Sequence, residues 1–512
     1  MCSISGVLVP PLGDRDLAIL HGKFLETVCA AQDRGRDSHG YTVYYRNASA
    51  SFKEMGTPSM EELPYGTAWA GGIQQVVNNN RAEPTTEWVP QKREQDIQPF
   101  TAFPWTIAHN GTIANDKELA EKYKLVLDTN IDSAVIPAIL ARYGVQHLSL
   151  GQVREVLREV QGSFALSLTH ALFPDEVYLA VNYKPLFVGV HRLTKAVMWS
   201  SLPEYINSRY KDATYWDGYW DVKQVSPFTL MHIQMLAGTP VFTQIPLREW
   251  KENRRALIVA SGGLDSTTAA AKYLAMGYET ELLHFRYAAR AEVSEVHSVG
   301  RIADRLGIRS RVVPISAFKE DIGHSSLTGT GDLVTGRRGE MSAEYAHEWV
   351  PARNTVFLSV AIGIAEAWDF GTVVLGNNLE ESGAFPDNEV ILTRTFNDLT
   401  SWIVNVDKQV GVAAPVGNLM KHEIVKLALE LENVLGISFL DITHSCYEEG
   451  QPCGTCGPDY MRMKAFKMNG VIDPLEYKEP APEGFWEGCK PYERHSSVAR
   501  EESTAGQASA AS

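Results

Sequence analysis

The run Ala256-Leu-Ile-Val-Ala260, followed at once by Ser261-Gly-Gly-Leu-Asp-Ser266, constrains the fold of this chain more than any other stretch. Apolar residues without alternation suit a strand covered on both faces, as strands of parallel sheets are. Two glycines then permit a sharp turn, and Thr267 to Ala275 continues in helix-forming residues. The rhythm recurs downstream: strand Glu281 to Phe285, helix Val293 to Leu306, strand Arg311 to Ile315, helix Val356 to Ala367, strand Thr372 to Gly376. Strands alternating with helices of this length predict a doubly wound parallel sheet. Backbone N–H groups of a turn backed by a helix N-terminus form an anion nest suited to phosphate, and Ser261 and Ser266 add hydroxyl donors. The competing reading is an ordinary glycine-rich connection.

At 512 residues the chain is long enough for two or three domains. The polar run Arg248 to Arg255 marks a boundary, dividing residues 1–250 from 251–490; 491–512, ending in Ser, Ala and Gly, is expected to be disordered. Ser326 to Met341 reads as a glycine-rich, charged loop. The first part mixes short strands and helices, with β-rich runs at Phe164 to Leu168 and Val177 to Val181. With 47 basic against 62 acidic residues the net charge is −15, a field that repels polyanions. Small-molecule substrates are therefore expected, and direct nucleic-acid binding is not. No stretch approaches the ~20 apolar residues of a membrane span, and the opening Met-Cys-Ser-Ile-Ser-Gly carries no basic-then-apolar leader pattern. A cytoplasmic enzyme with no membrane partner is expected; a homodimer is compatible with the sequence, which specifies none. Of the cysteines, Cys2 stands at the N-terminus and Cys446, Cys453 and Cys456 cluster, with Cys29 and Cys489 apart. That distribution suits one reactive thiol and one metal site in a reducing compartment better than a disulfide framework.

Removal of Met1 would leave Cys2 with a thiol and a free α-amine, whose pKa of ~8 lets it serve as a base toward its own side chain. Alone, a second-position cysteine says little. Met1-Cys2-Ser-Ile-Ser-Gly6, Arg34-Gly-Arg-Asp-Ser-His-Gly40, His109-Asn-Gly111, Asn130-Ile-Asp-Ser133, Val181 to Gly189 and Ser200-Ser-Leu-Pro-Glu204 together resemble, in order, the class II (N-terminal-nucleophile) glutamine amidotransferases. The resemblance implies an αββα layer sandwich. It also implies Cys2 as nucleophile, Asn110 and Gly111 as the oxyanion element, and Asp132 as holder of the glutamine α-amine. Arg81 is the choice for the α-carboxylate, since a guanidinium binds carboxylate through two parallel hydrogen bonds; its surroundings depart from the family pattern, and an exposed, ion-pairing arginine is the other reading.

Ser261, Gly262, Gly263, Leu264, Asp265 and Ser266 resemble the phosphate loop of the PP-loop pyrophosphatases, which implies ATP with Mg²⁺ and an adenylated intermediate. An amidotransferase head on such a body is also the asparagine synthetase layout. Tyr287-Ala-Ala-Arg290-Ala-Glu292, Glu348-Trp-Val-Pro-Ala-Arg353-Asn354-Thr355, Gly376 to Asp387, Lys421-His-Glu-Ile-Val425 and Ser445 to Gly457 resemble instead, in order, the 7-cyano-7-deazaguanine synthases of the queuosine pathway. By that resemblance Tyr287, Arg290, Arg353, Asn354, Ser382, Phe385, Asp387 and Lys421 bind the substrate. Phe385 could instead be core, Asp387 a turn cap, and one of Arg290, Arg353 and Lys421 a structural ion pair.

The segment 444–460 of that family carries four cysteines; here Cys446, Cys453 and Cys456 are followed by Asp459. Three thiolates and a carboxylate suit a closed, structural Zn²⁺ site; His444 or Cys489 as fourth ligand, or loss of zinc, are the alternatives. The resemblance as a whole implies glutamine, ATP and 7-carboxy-7-deazaguanine as substrates and the 7-cyano base as product. Stopping at the amide, an asparagine synthetase-like reaction, and a deazaguanine-conjugating or binding protein are the competing outcomes. Amidotransferase-fused relatives occur in bacteriophage gene sets, so use of the product in DNA modification stands beside use in tRNA.

Overall fold

The computed structural model describes residues 2–58, 69, 72–82, 93–207, 219–318, 321, 325–328, 348–382, 385–405 and 407–495. Most of the glycine-rich stretch 326–341, part of the segment following Arg81, and the tail beyond 495 lie outside the described residues. The chain divides into two compact units, Met1–Glu249 and Trp250–Ser512.

Among the described residues the first unit contains two antiparallel sheets, of seven and six strands. The strand Ser3–Leu8 lies inside the seven-stranded sheet, between Ile73–Arg81 and Val197–Ser200. Val7, Val43 and Val76 on its outer face pack against Leu20, Phe24 and Val28 of the helix Asp14–Ala30. In the six-stranded sheet, Trp105–Ile113 pairs with Gly162–His170, which pairs with Phe173–Asn182. Its outer face buries Ile107, Leu166 and Tyr178 against Ile136, Ile139 and Val156 of the helices Val135–Ala141 and Leu150–Arg158. The order is helix, sheet, sheet, helix: an αββα sandwich. Its middle layer is partly polar, with Asn79 Nδ2 donating to His109 O at 2.9 Å and Gln75 Nε2 to Glu176 O at 3.3 Å, so the sheets are joined by hydrogen bonds as well as by packing. Gly6 is required there: a Cβ would lie 2.0 Å from the buried ring of Trp199.

The second unit is built on a parallel sheet in the spatial order Arg309–Pro314, Glu279–Arg286, Arg255–Val259, Thr372–Val374, Gly411–Ala413. The unbroken apolar character of its central strand has a direct cause. Ala256 and Ile258 enter one core, with the helices Leu264–Ala275, Glu292–Leu306, Lys421–Leu435 and Gly457–Met468; Leu257 enters the other, with the helix Arg353–Trp368. The helix Glu292–Leu306 has Glu292 and Glu295 in its first turn and Arg305 in its last, complementing the helix dipole, and ends on Gly307 at φ 66°. Strand order reverses direction beside Arg255–Val259, the switch point where ligands of doubly wound sheets bind. Ser261–Ser266 emerges there, beyond the strand's carboxyl end.

Candidate functional site

In the first unit, Cys2 enters the strand Ser3–Leu8 and its thiol donates to Ala82 O at 3.7 Å. Burial pushes the thiol above its ordinary value; the Ala82 carbonyl contact, the Arg81 guanidinium and the chain terminus draw it back, and Asp132 raises it. Arg81 and Asp132 thus act on the same sulfur, although 51 residues separate them in sequence. Arg81 is buried at 3 % exposure, with Nη1 donating to Asp96 O at 3.0 Å, so it is not an exposed side chain. Asp132 Oδ2 accepts from Ile113 N at 2.7 Å, which fixes its carboxylate beside the strand that carries Asn110 and Gly111. The loop 34–40 closes on the same strand end: Asp37 N donates to Arg81 O at 3.0 Å, and a Cβ on Gly35 would lie 2.2 Å from Asn80 O.

Asn110 is 1 % exposed, yet among the described residues neither its Oδ1 nor its Nδ2 has a hydrogen-bond partner. An unpaired buried amide is costly in a folded chain unless a ligand completes it. Gly111 sits at φ 142°, and a Cβ would lie 1.9 Å from Ser163 O, so only glycine fits. Burial lowers the pKa of neighbouring His109, which Asp132, 3.9 Å away, raises again.

In the second unit a cavity of about 210 Å³ opens at the serine-glycine turn. Gly263 N donates to Ser261 Oγ at 3.3 Å, and Ser261 N to Ser266 Oγ at 3.3 Å, so the turn is held by its own hydroxyls. Gly262 takes φ 80°, where a Cβ would lie 2.9 Å from Ser298 Cβ. Ser261, Gly263, Leu264, Asp265 and Ser266 line the cavity together with Tyr287, Arg290, Arg353, Asn354, Phe385 and Lys421. Ser382 and Asp387 do not line it: Ser382 Oγ turns to Leu379 O at 2.7 Å, and Asp387 offers its backbone carbonyl to Asn354 and Asn377. Lys421 makes an ion pair on each side, with Nζ 2.6 Å from Asp265 Oδ2 and 2.7 Å from Glu381 Oε1. Burial pushes Asp265 up; burial also raises Glu381, but Lys421 more than offsets this and leaves it low. Arg353 Nη1 donates to Tyr287 OH at 3.4 Å, and burial pushes that phenol up to about 12.

Glu295 and His284, outside every motif above, also line the cavity, as do Asn377 and Glu381 of the segment Gly376 to Asp387. Burial pushes the Glu295 carboxyl up to about 8, against the pull of Arg353. His284 Nδ1 lies 2.9 Å from Ala260 O while its buried Nε2 has no partner among the described residues, and burial holds the ring below its ordinary value. One signal could have found Glu295: it falls on the stripe of Ser298, Val299, Ile302 and Leu306, the buried face of its helix.

Cys446, Cys453, Cys456 and Asp459 bring four potential ligand atoms within 4.8 Å of one another. Backbone N–H groups of Glu448, Cys453 and Cys456 point at the sulfurs at 3.2–3.3 Å. Hydrogen bonding among the sulfurs pushes Cys453 down and Cys446 and Cys456 up. Asp459 Oδ1 is buried without a partner among the described residues, which fits a carboxylate that can ligate a metal. His444 instead places Nε2 3.1 Å from Glu448 O, and Cys489 lies near Lys467 O. The segment is joined to the turn: His444 N donates to Gly262 O at 2.8 Å, and Cys446 is on the cavity wall.

A glutamine amidotransferase domain family matches residues 86–208, and the family described as queuosine biosynthesis protein QueC matches 255–470. A 7-cyano-7-deazaguanine synthase of Saccharolobus solfataricus is 42% identical over 483 residues, covering 94% of this chain and 100% of that protein. That of Sulfolobus acidocaldarius is 42% identical over 93% of this chain and 100% of its own. A shorter synthase of Methanocaldococcus jannaschii is 37% identical over 234 residues, 44% of this chain but 100% of its own. An αββα amidotransferase unit joined to a doubly wound unit with a phosphate-loop turn defines an amidotransferase-headed carbon–nitrogen ligase. The chain belongs to the 7-cyano-7-deazaguanine synthase family.

Proposed function

We propose that this enzyme converts 7-carboxy-7-deazaguanine to 7-cyano-7-deazaguanine in the cytoplasm, with nitrogen drawn from glutamine and activation by ATP. The observation that carries the reading is the cavity at the serine-glycine turn, which the turn's backbone, Phe385 and a set of polar side chains line together. In the first unit the Cys2 sulfur attacks the glutamine side-chain carbonyl. Asn110 Nδ2 and Gly111 N–H stabilise the oxyanion, the C–N bond breaks with proton transfer to the departing ammonia, and water hydrolyses the thioester to glutamate. Asp132 holds the α-amine and Arg81 the α-carboxylate.

In the second unit the 7-carboxylate attacks the α-phosphorus of ATP and pyrophosphate leaves. Ammonia displaces AMP and gives the amide; a second ATP adenylates the amide oxygen, and loss of AMP and a proton leaves the nitrile. Ser261 to Ser266 cradle the phosphates. Phe385 supplies a face for the base, and Arg290 and Arg353 meet the carboxylate or phosphates. Glu295, kept neutral near pH 7, can donate to an acceptor on the base. Asp265, whose buried Oδ1 lacks a partner among the described residues, would hold Mg²⁺ together with Glu381. When bound, Mg²⁺ neutralises phosphate charge. Zn²⁺ held by Cys446, Cys453, Cys456 and Asp459 is structural.

Incubation of the protein with glutamine, ATP and the carboxy base, read by mass spectrometry, tests the reading. Free nitrile is expected. Free amide as the end point, a covalent protein adduct, or reaction only with aspartate would each replace it. Cys2→Ala is expected to abolish glutamine use and spare nitrile formation from ammonium salts; equal loss with both nitrogen sources would rule out two separate centres.

A further inference from the structure

A second cluster of metal-ligating side chains lies on the outer face of the six-stranded sheet. Glu176, on Phe173–Asn182, faces Gln234 across the strand pair, and His232 lies two residues from Gln234 on the same side of Thr229–Leu236. His147, from the connection before the helix Leu150–Arg158, meets them from outside. Nε2 of His147 is 2.9 Å from Glu176 Oε1, and Nε2 of His232 is 3.0 Å from Oε2. All three ligand atoms lie within 4.8 Å of one another.

Two observations separate this arrangement from an ordinary hydrogen-bond network. The carboxylate is buried at 4 % exposure, and among the described residues the basic side chains within 4 Å of it are these two imidazoles, with no lysine or arginine. A buried carboxylate needs a compensating positive charge. Nearby His170 does not supply it, since burial holds that ring at about 4. Further, hydrogen bonds from His147, His232 and Gln234 all fall on Oε2, while buried Oε1 accepts none of good geometry.

We propose that His147, Glu176 and His232 bind a divalent transition-metal cation, of which Zn²⁺ is the natural occupant. Imidazole nitrogens select zinc-like ions over Mg²⁺ or Ca²⁺. Ligand bonds of about 2.0–2.2 Å in a tetrahedron set neighbouring donors about 3.3 Å apart, close to the spacing found here. Tyr178 stacks on His232 with centroids 4.2 Å apart, and its hydroxyl donates to Leu148 O at 2.6 Å, so two of the ligands are already held in place. His147, 41 % exposed, leaves the ion a way in and a fourth position for water. Glu176 lies six residues along its strand from Asn182, ~20 Å from the end that carries Asn110. The cation therefore fastens the connection before Leu150–Arg158 to the sheet and takes no part in glutamine hydrolysis.

The test uses the full-length protein, stripped by a chelator and titrated with Co²⁺. Cobalt bound by the 446–459 cluster gives an intense thiolate charge-transfer band; cobalt bound here gives visible d–d absorption without it. The wild type is expected to take up one more equivalent than His147→Ala, and the thiolate band is expected to be unchanged between them. Zinc content after Zn²⁺ loading should show the same difference of one equivalent. Because His147 is exposed, its replacement leaves the core intact; Glu176→Gln, of matched size, is expected to lose the same equivalent. Equal metal content in the wild type and both variants would overturn the site.

Discussion

Asn110 lies in the middle of an antiparallel strand with both ends of its amide buried and, among the described residues, unpaired. A group in that state costs folding free energy and is available to a ligand atom. Asn110→Ala is expected to reduce glutamine hydrolysis by about 10²–10³-fold, the usual cost of losing one oxyanion donor. Nitrile formation from ammonium salts should be unchanged, and paired assays with the two nitrogen sources check it. Glu295 shows the opposite tension. Its folded pKa of about 8 stands above the ordinary 4.5, so between these values the folded chain keeps a proton that the unfolded chain releases. Rising pH therefore favours unfolding across that window. Thermal melts of Glu295→Gln should match the wild type near pH 5 and exceed it near pH 9; a parallel pH dependence in both proteins would disprove the buried acid. The two residues also differ in how visible they are in sequence. Asn110 is marked by its neighbours His109 and Gly111 and by the order of motifs around it. Glu295 is an acid in the first turn of an amphipathic helix, where acids are common for dipole reasons alone. What sets it apart is burial against a cavity, and that comes from packing of distant segments.

Elements show the same division. The central strand Arg255–Val259 was legible because a strand covered by helices on both sides must be apolar throughout, and the chain writes this as Ala-Leu-Ile-Val. The edge strand Gly411–Ala413, three residues long, leaves no such mark; only its pairing with Thr372–Val374 makes it a strand. The cysteine segment was visible by spacing, but its attachment to the phosphate-loop turn through His444 N and Gly262 O was not, since backbone hydrogen bonds carry no side-chain signature. That attachment has a consequence. Loss of a metal from Cys446, Cys453, Cys456 and Asp459 should loosen the turn as well as the segment. Asp459→Ala is expected to bind less zinc, to melt lower by ~2–4 °C for each kcal/mol lost, and to raise the KM for ATP. Asp459→Cys restores the four-thiolate set and should recover all three. Metal analysis, calorimetry and ATP kinetics on the two variants read this directly, and unchanged zinc in Asp459→Ala would remove the carboxylate from the ligand set.

At the scale of the whole molecule the question is whether the second unit can stand without the first. Among the described residues its two cores draw on residues 256–492: Ala256, Ile258, Ile424 and Phe466 belong to one, Leu257, Phe285, Leu358 and Val373 to the other. The αββα unit likewise closes its cores with residues 7–247. A cooperative fold needs a complete core of its own, and each unit has one. The Methanocaldococcus jannaschii synthase matches over its whole length to 44% of this chain, so a polypeptide of that smaller size is a complete protein in that organism. Residues 250–495 expressed alone are therefore expected to unfold in a single transition and to form product from ammonium salts with ATP, and to form none from glutamine. Activity should rise with pH as ammonium gives up its proton, because only free ammonia is nucleophilic. A soluble, folded piece that is inactive with ammonium, while full-length Cys2→Ala is active, would mean that the amidotransferase unit helps shape the synthase site and is more than a source of nitrogen.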